Sequence, residues 1–170
     1  MLKEKILQIA RNAILDDKYV NDGFKDKKGI FVTIYVNNNL RGCIGFVEPI
    51  FSLSEGVIKA ARLAAYHDYR FTPLNKNENF KVEVSILTEP ELIKVKKCED
   101  YFDKIKIGKD GLIVESNYGR GLLLPKVFIE YKCDVKKALE MTCQKADLSS
   151  DAWKDLNNKI YKFQAKLFSE

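Results

Sequence analysis

Ile30-Phe31-Val32-Thr33-Ile34-Tyr35-Val36, then Asn37-Asn38-Asn39, then Leu40-Arg41-Gly42-Cys43-Ile44-Gly45-Phe46-Val47, is the stretch on which the fold turns. The first run is β-branched and aromatic, which favours an extended backbone packed on a pleated surface. Asparagine tolerates left-handed backbone angles and hydrogen-bonds its own neighbourhood, so the middle run reads as a turn. The second run then returns antiparallel to the first as a hairpin. Residues alternate across a strand, so Arg41, Cys43 and Gly45 are expected on one face and Gly42 and Ile44 on the other. An interior strand is expected from Leu40 to Val47, with Gly42 packed beneath another element.

Outward from the hairpin, helix and strand signals mix without a regular βαβ alternation. Leu2, Ile6, Ile9, Ala10, Ala13 and Ile14 recur at three- and four-residue steps and form one apolar stripe of a helix. Asn21-Asp22-Gly23 breaks it. Ser52 with Glu55 is a capping box, opening a helix to about His67 with Leu53, Val57, Ala60, Ala61 and Ala64 on one face. Asp68 to Pro73 is a connector. Phe80, Val82, Val84 and Ile86 alternate with polar residues as a strand, Pro90 ends it, and a short charged helix or turn is expected through Lys97. Lys104–Ile107 and Leu112–Glu115 flank Gly108-Lys109-Asp110-Gly111 and read as a second hairpin. Tyr118 to Gly121 is a loop, Asp134 an N-cap, and Ser149 or Ser150 the cap of a short turn holding Trp153. The final run, Ile160 to Phe168, alternates as a strand with Tyr161, Phe163, Ala165 and Leu167 on one face. The pattern predicts an α+β fold, a largely antiparallel sheet with packed helices. No GxGxxG or GxxxxGK[ST] supports a nucleotide-binding α/β fold.

The 170 residues are 46% hydrophobic and 31% charged, enough for a real core in a soluble chain. Lys and Arg number 29 against 24 Asp and Glu, a net charge of +5 with the signs interspersed, which reads as a solvated surface more than a nucleic-acid footprint. No apolar run is long enough for a membrane span, and the first fifteen residues lack a signal-peptide centre, so cytoplasmic residence is the expectation. The four cysteines, without CxxC spacing, are expected to be reduced, and one histidine with no paired ligands argues against a zinc site.

Chemistry, where the sequence offers any, gathers at Cys43. On an alternating strand Arg41 would stand beside the thiol and favour its thiolate, making Cys43 a candidate nucleophile and Arg41 a candidate anion or thiolate stabiliser. Gly45 would leave open space beside the sulfur. A buried structural cysteine is the plain alternative. His67 is the one imidazole that could form a Cys–His dyad, and a favourable helix-dipole position explains it equally well. Arg70 and Arg120 could join Arg41 on an anion, and Asp68, Glu83 and Glu115 are carboxylates without a distinguishing context.

Leu40-Arg41-Gly42-Cys43-Ile44-Gly45 resembles the signature of the AMMECR domain family, the A component of AmmeMemoRadiSam systems. Gly29-Ile30-Phe31-Val32-Thr33, Asp68-Tyr69-Arg70-Phe71 and Glu83-Val84-Ser85-Ile86-Leu87-Thr88 resemble further family segments. Ile107 to Leu112, Gly121 to Pro125, Thr142 to Ala146 and Asp151-Ala152-Trp153 follow in the family's order. Tyr69 stands where proline is usual, Asp110 where histidine often sits, Lys126 where glutamine is common, and Cys133 where tryptophan is usual. The resemblance implies one AMMECR-like domain over residues 1–170, with a larger and a smaller lobe and no boundary marked in the sequence. It implies association with a Memo-like protein and a radical-SAM protein, and names neither a reaction nor a cofactor. Three functional readings follow. One is a ligand-binding or catalytic cleft lined by Arg41, Gly42, Cys43, Gly45 and Arg70. The second is an adaptor with a structural signature strand. The third, nucleic-acid binding, lacks a motif.

Overall fold

A computed structural model describes residues 2–170, which divide into two compact units: residues 2–87 with 166–170, and residues 88–165. In the first unit, helix α1 (Leu2–Leu15) presents Ile6, Ile9, Ala10, Ala13 and Ile14 inward, each at most 4% exposed, so the stripe read from the sequence is its core face except at Leu2, which is 44% exposed at the helix start. Strands β1 (Ile30–Val36) and β2 (Asn39–Phe46) form the expected hairpin, with Asn37 and Asn38 at positive φ in the turn. Helix α2 (Leu53–Tyr66) starts at Ser52, whose hydroxyl accepts the Glu55 N–H while Glu55 accepts the Ser52 N–H: the predicted capping box. Strand β3 (Phe80–Leu87) pairs with the other side of β1. Ile30, Val32 and Ile34 on β1, Val82 and Val84 on β3, and Val57, Ala60, Ala61 and Ala64 on α2 pack with α1 into one apolar core. Each fully buried Ile or Val there contributes about 1.5–3 kcal/mol of transfer free energy.

Two details of the hairpin differ from the sequence reading. β2 ends the strand order beside β1, so it is an edge strand and not an interior one. Register also slips between Ile34 and Tyr35: Ile34 faces Gly42 and Tyr35 faces Leu40, leaving Arg41 as the extra residue of a β-bulge. Gly42 is packed as expected. A Cβ there would lie 1.9 Å from the Ala64 carbonyl oxygen of α2, so only glycine permits this approach of strand to helix.

In the second unit, β4 (Glu91–Leu92) is followed by a 3₁₀ turn at Cys98–Asp100 and the single-turn α3 (Tyr101–Lys104). The hairpin here is β5 (Asp110–Glu115) with β6 (Arg120–Leu123), not Lys104–Ile107 with Leu112–Glu115. Residues 104–107 lead into a turn instead, where the Asp110 carboxylate takes the Lys106 N–H at 2.9 Å and Gly108 adopts φ +87°. Helix α4 (Pro125–Glu130) was not anticipated from Leu122-Leu123-Leu124-Pro125, although proline suits the first turn of a helix. Helix α5 (Val135–Lys145) begins at Asp134, which accepts the Lys137 N–H at 2.7 Å, as expected, and a 3₁₀ turn holds Trp153, with Asp151 and not Ser149 or Ser150 at its N-cap position. Leu112, Val114, Phe128, Leu139, Cys143, Trp153 and Ile160 share this unit's core.

Strand β7 (Lys159–Ser169) runs from the second unit into the first. Its buried side chains are Ile160, Phe163 and Phe168, and Leu167 is 54% exposed, so the simple odd-numbered apolar face expected for it does not hold. Ile160, in the second core, and Phe168, in the first, stand at even positions and Phe163 at an odd one, so the buried side chains do not keep to a single alternating face. The fold is α+β, and β1 with β2, β1 with β3, β4 with β7, β5 with β6 and β5 with β7 all pair antiparallel.

Candidate functional site

Gly42 faces α2, so its neighbour Cys43 projects from the opposite face of the first unit's strands. Thr33 of β1 stands opposite Cys43, and Glu83 of β3 stands opposite Thr33, giving a row Cys43–Thr33–Glu83 across three adjacent strands. Phe31 stands opposite Gly45 and Ser85 in the next row. Thr33 is 1% exposed and its hydroxyl oxygen lies 3.2 Å from the Cys43 Sγ. Such closeness belongs to a non-hydrogen-bonded antiparallel pair, in which the two backbones turn their N–H and C=O groups away from each other.

Those outward groups of Cys43 would be open on an edge strand, and two side chains cover them. The Cys43 N–H donates to Asp68 Oδ2 at 2.9 Å, and Arg70 Nη2 donates to the Cys43 carbonyl at 3.0 Å. Asp68 and Arg70 are joined by a two-pronged ion pair, Nε to Oδ1 at 2.9 Å and Nη2 to Oδ2 at 2.7 Å. The pair therefore substitutes for a neighbouring strand at one residue, offering an acceptor and a donor as a backbone would. The Asp68 side chain is 1% exposed. The hydrogen bond from Arg70 holds its carboxyl down at about 2, against the burial that would raise it, and the N–H groups of Cys43 and Arg70 add to the effect. Arg70 is correspondingly held above its ordinary pKa, chiefly by its hydrogen bond to Asp68, with Coulomb attraction to Asp68 and then Cys43 contributing. Its side chain is 47% exposed, and Nη1 donates to none of the described residues.

Arg41, placed by the bulge, sends its guanidinium to the same connector. Nε donates to the Thr72 carbonyl at 2.9 Å, and Nη2 to the Pro73 carbonyl at 3.3 Å and to Glu78 Oε2 at 3.1 Å. Glu78 Oε2 also takes the Asn75 N–H at 2.7 Å. Arg41 thus fastens residues 72–78 to β2, while Arg70 is the arginine on Cys43 itself. Gly45 does not leave open space: a Cβ there would lie 2.2 Å from the Ile30 carbonyl oxygen and 2.4 Å from the Phe31 ring, so backbone and ring together fill the position. His67 caps α2, its N–H on the Leu63 carbonyl, and among the described residues it makes no hydrogen bond to Cys43. Arg120 and Glu115 face one another across β5 and β6 and form an ion pair at 3.5 Å. Asp110 is 3% exposed and serves the turn before β5.

The other thiols have different surroundings. Burial pushes Cys143 up to about 11 and raises Cys133, whose Sγ lies 3.4 Å from the Met141 sulfur. Burial raises Cys98 as well, helped by Glu99. Among the described residues no three His, Cys, Asp or Glu side chains converge to hold a metal ion, and no helix is long and apolar enough to cross a membrane. Thr33 was missed by sequence reasoning, and Asp68 and Arg70 were named there without their pairing on the Cys43 backbone. Register across strands and a connector folding back on its own hairpin leave no local periodicity to read.

Known proteins place this arrangement in a wider setting. The chain is 50% identical over 151 residues to Protein MJ0810 of Methanocaldococcus jannaschii, covering 86% of this chain and 75% of that one. It is 43% identical over 186 residues to Protein PF1979 of Pyrococcus furiosus, covering 98% and 87%. The crystal structure of the uncharacterized protein PH0010 from Pyrococcus horikoshii matches with a TM-score of 0.89 at 42% identity, over 99% of this chain and 91% of that one. The model of the AMMECR1 family matches residues 3–168, and the chain belongs to that family.

Proposed function

We propose that the chain binds, and acts on, a small molecule through the Cys43 thiol, on the face of β2, β1 and β3 that points away from the helices. The observation that carries this reading is the treatment of Cys43. Its backbone is pinned on both sides by Asp68 and Arg70, yet its side chain is only partly buried and is turned to a polar row of Thr33 and Glu83. A thiol kept only to fill a core needs neither. In this reading Cys43 is the nucleophile and Thr33 fixes the direction of its sulfur. Glu83 is the carboxylate placed to take up a proton, two strand spacings or about 10 Å away, a gap that a ligand group or water would bridge. Arg70 receives an anionic group of the ligand on Nη1. Arg41, Gly42 and Gly45 shape the strand.

Peptide-resolved mass spectrometry of a timed alkylation tests it. Cys43 should react well before Cys133 and Cys143, and Thr33→Val and Arg70→Gln should each change its rate while the thermal melt stays cooperative. Alkylation of Cys43 only upon unfolding sinks the proposal.

A second reading is a docking surface, and Tyr69 favours it. This side chain is 95% exposed and lies between the two clamp residues, so a partner seated on it would act directly on the Cys43 support. The family resemblance nominates a Memo-like or radical-SAM protein. Co-purification that is abolished by Tyr69→Ala supports the reading, and recovery of neither protein opposes it.

A further inference from the structure

In the second unit, β4, the end of α3 and β7 surround a cleft of about 450 Å³ lined by Glu91, Leu92, Ile93, Lys94, Lys104 and Lys162. Three ammonium groups share it with one carboxylate. Pairing of β4 with β7 sets Glu91 opposite Lys162, and the Lys162 Nζ reaches the Lys104 carbonyl at 3.3 Å, which leaves it two further N–H donors. Neither Lys94, Lys104 and Lys162 nor Glu91 forms an ion pair within 4 Å among the described residues. The lining side chains of the cleft thus carry an excess of two positive charges, with Asp100 within electrostatic reach of Lys104, and Lys162 is half-buried. Like charges gathered in a concavity repel one another and raise the local potential, both of which an entering anion relieves.

We propose that this cleft binds the diphosphate group of a small organic molecule. Two or more phosphate charges match the excess on the lysines. Leu92, 39% exposed, and the buried Ile93 supply an apolar surface for the organic part. The volume is that of a small-molecule site. A nucleic acid fits less well, because Glu91, Glu99, Asp100 and Asp103 interrupt the lysines along this segment and no continuous basic track forms. The site is independent of the Cys43 reading.

Isothermal titration of the full chain at low salt with pyrophosphate, ADP and inorganic phosphate tests it. Pyrophosphate and ADP should bind about tenfold or more tightly than phosphate. Lys94→Gln, Lys104→Gln and Lys162→Gln should each weaken pyrophosphate about three- to fivefold, the worth of one partly exposed charge contact. Lys94→Arg should retain binding, Leu92→Ser should weaken ADP and spare pyrophosphate, and Cys43→Ser should bind both as wild type. Thermal melts identify any variant that fails to fold, and the remaining lysine variants then decide. Absence of pyrophosphate binding at millimolar concentration overturns the proposal. So does an equal loss with Lys137→Gln, which lies outside the cleft and would reveal a diffuse charge effect. A single-stranded oligonucleotide that binds more tightly than ADP and loses affinity in the same lysine variants would replace it with a polynucleotide surface.

Discussion

The N–H of Cys43 rests on the carboxylate of Asp68 at 2.9 Å, although Cys43 lies on an edge strand and Asp68 lies in the connector after α2. Strand edges are ordinarily protected by charge, bulges or a covering element. Here a bulge at Arg41 and a carboxylate–guanidinium pair act on adjacent stretches of one strand. The Asp68 charge is central to this. It is nearly solvent-free, and its stabilisation comes from Arg70 and two N–H groups.

That charge makes stability pH-dependent in acid. The folded-state pKa of Asp68 is lowered from 3.8 to about 2, so its contribution is present above pH 4 and is lost as pH falls through the interval from about 4 to about 2. A shift of this size corresponds to roughly 2 kcal/mol at neutral pH. Urea unfolding of wild type and Asp68→Asn from pH 6 to pH 2 should show the variant weaker at pH 6, with the difference shrinking below pH 4. A difference that stays constant with pH would show that the charge is not what Asp68 contributes.

Gly42 offers a test of packing free of charge. The β-carbon of alanine would lie 1.9 Å from the Ala64 carbonyl oxygen, and that atom is backbone and cannot rotate aside. Gly42→Ala should destabilise by about 1–3 kcal/mol, and Gly42→Val by more. In calorimetry the alanine variant should melt several degrees lower, at about 2–4 °C per kcal/mol for a chain of this size. A melt equal to wild type would show that β2 can move off α2 without cost.

The Ser52 capping box ties together the start of α2, the helix whose far end delivers Asp68 and Arg70. Ser52→Ala removes the acceptor for the Glu55 N–H and should cost about 0.5–2 kcal/mol. Ser52→Asp should recover most of it, since aspartate also accepts at this position and suits the helix dipole. Equal destabilisation by both would place the role of Ser52 outside capping.

The parts of the fold that were legible in the sequence were those whose signal is local. The α1 stripe, the Asn37–Asn39 turn, the Ser52–Glu55 box and the Asp134 cap each lie within a few residues of what they specify. The errors came where tertiary pairing decides. An apolar, glycine-bearing strand reads as interior, yet β2 is an edge because the connector after α2 covers it with side chains. Strict alternation put Arg41 beside Cys43. One bulged residue and the carbonyls of Thr72 and Pro73 drew the guanidinium to the connector, and Arg70, close in space and 27 residues away in sequence, took its place. Cys43 itself was legible as a point of interest from its glycines and arginine. The neighbours Thr33 and Glu83 required strand register, which the sequence does not print.

Amide exchange distinguishes a strand edge closed by side chains from one closed by backbone. Within β2, Gly42 and Ile44 face Ile34 and Val32 in register, so their backbone groups point into the hairpin, and those of Cys43 point out to Asp68 and Arg70. In wild type the Cys43 amide should therefore be protected like its neighbours despite lying on an edge. Asp68→Ala deletes its acceptor among the described residues and should accelerate Cys43 exchange by about tenfold or more, the equivalent of one lost charge-assisted hydrogen bond of roughly 1.5–3 kcal/mol. Gly42 and Ile44 should retain most of their protection, because the pairing with β1 survives. Arg41→Ala should show the opposite pattern. It should loosen Asn75, whose N–H shares Glu78 with Arg41, and leave Cys43 protected. Nuclear magnetic resonance exchange series on the three proteins under identical conditions provide the comparison. If Asp68→Ala raised exchange uniformly across β1 and β2, the loss would be global stability and not a local latch. If Cys43 stayed protected in that variant, another group would have to hold its N–H, and the clamp would cease to explain how an edge strand presents its thiol in one fixed direction.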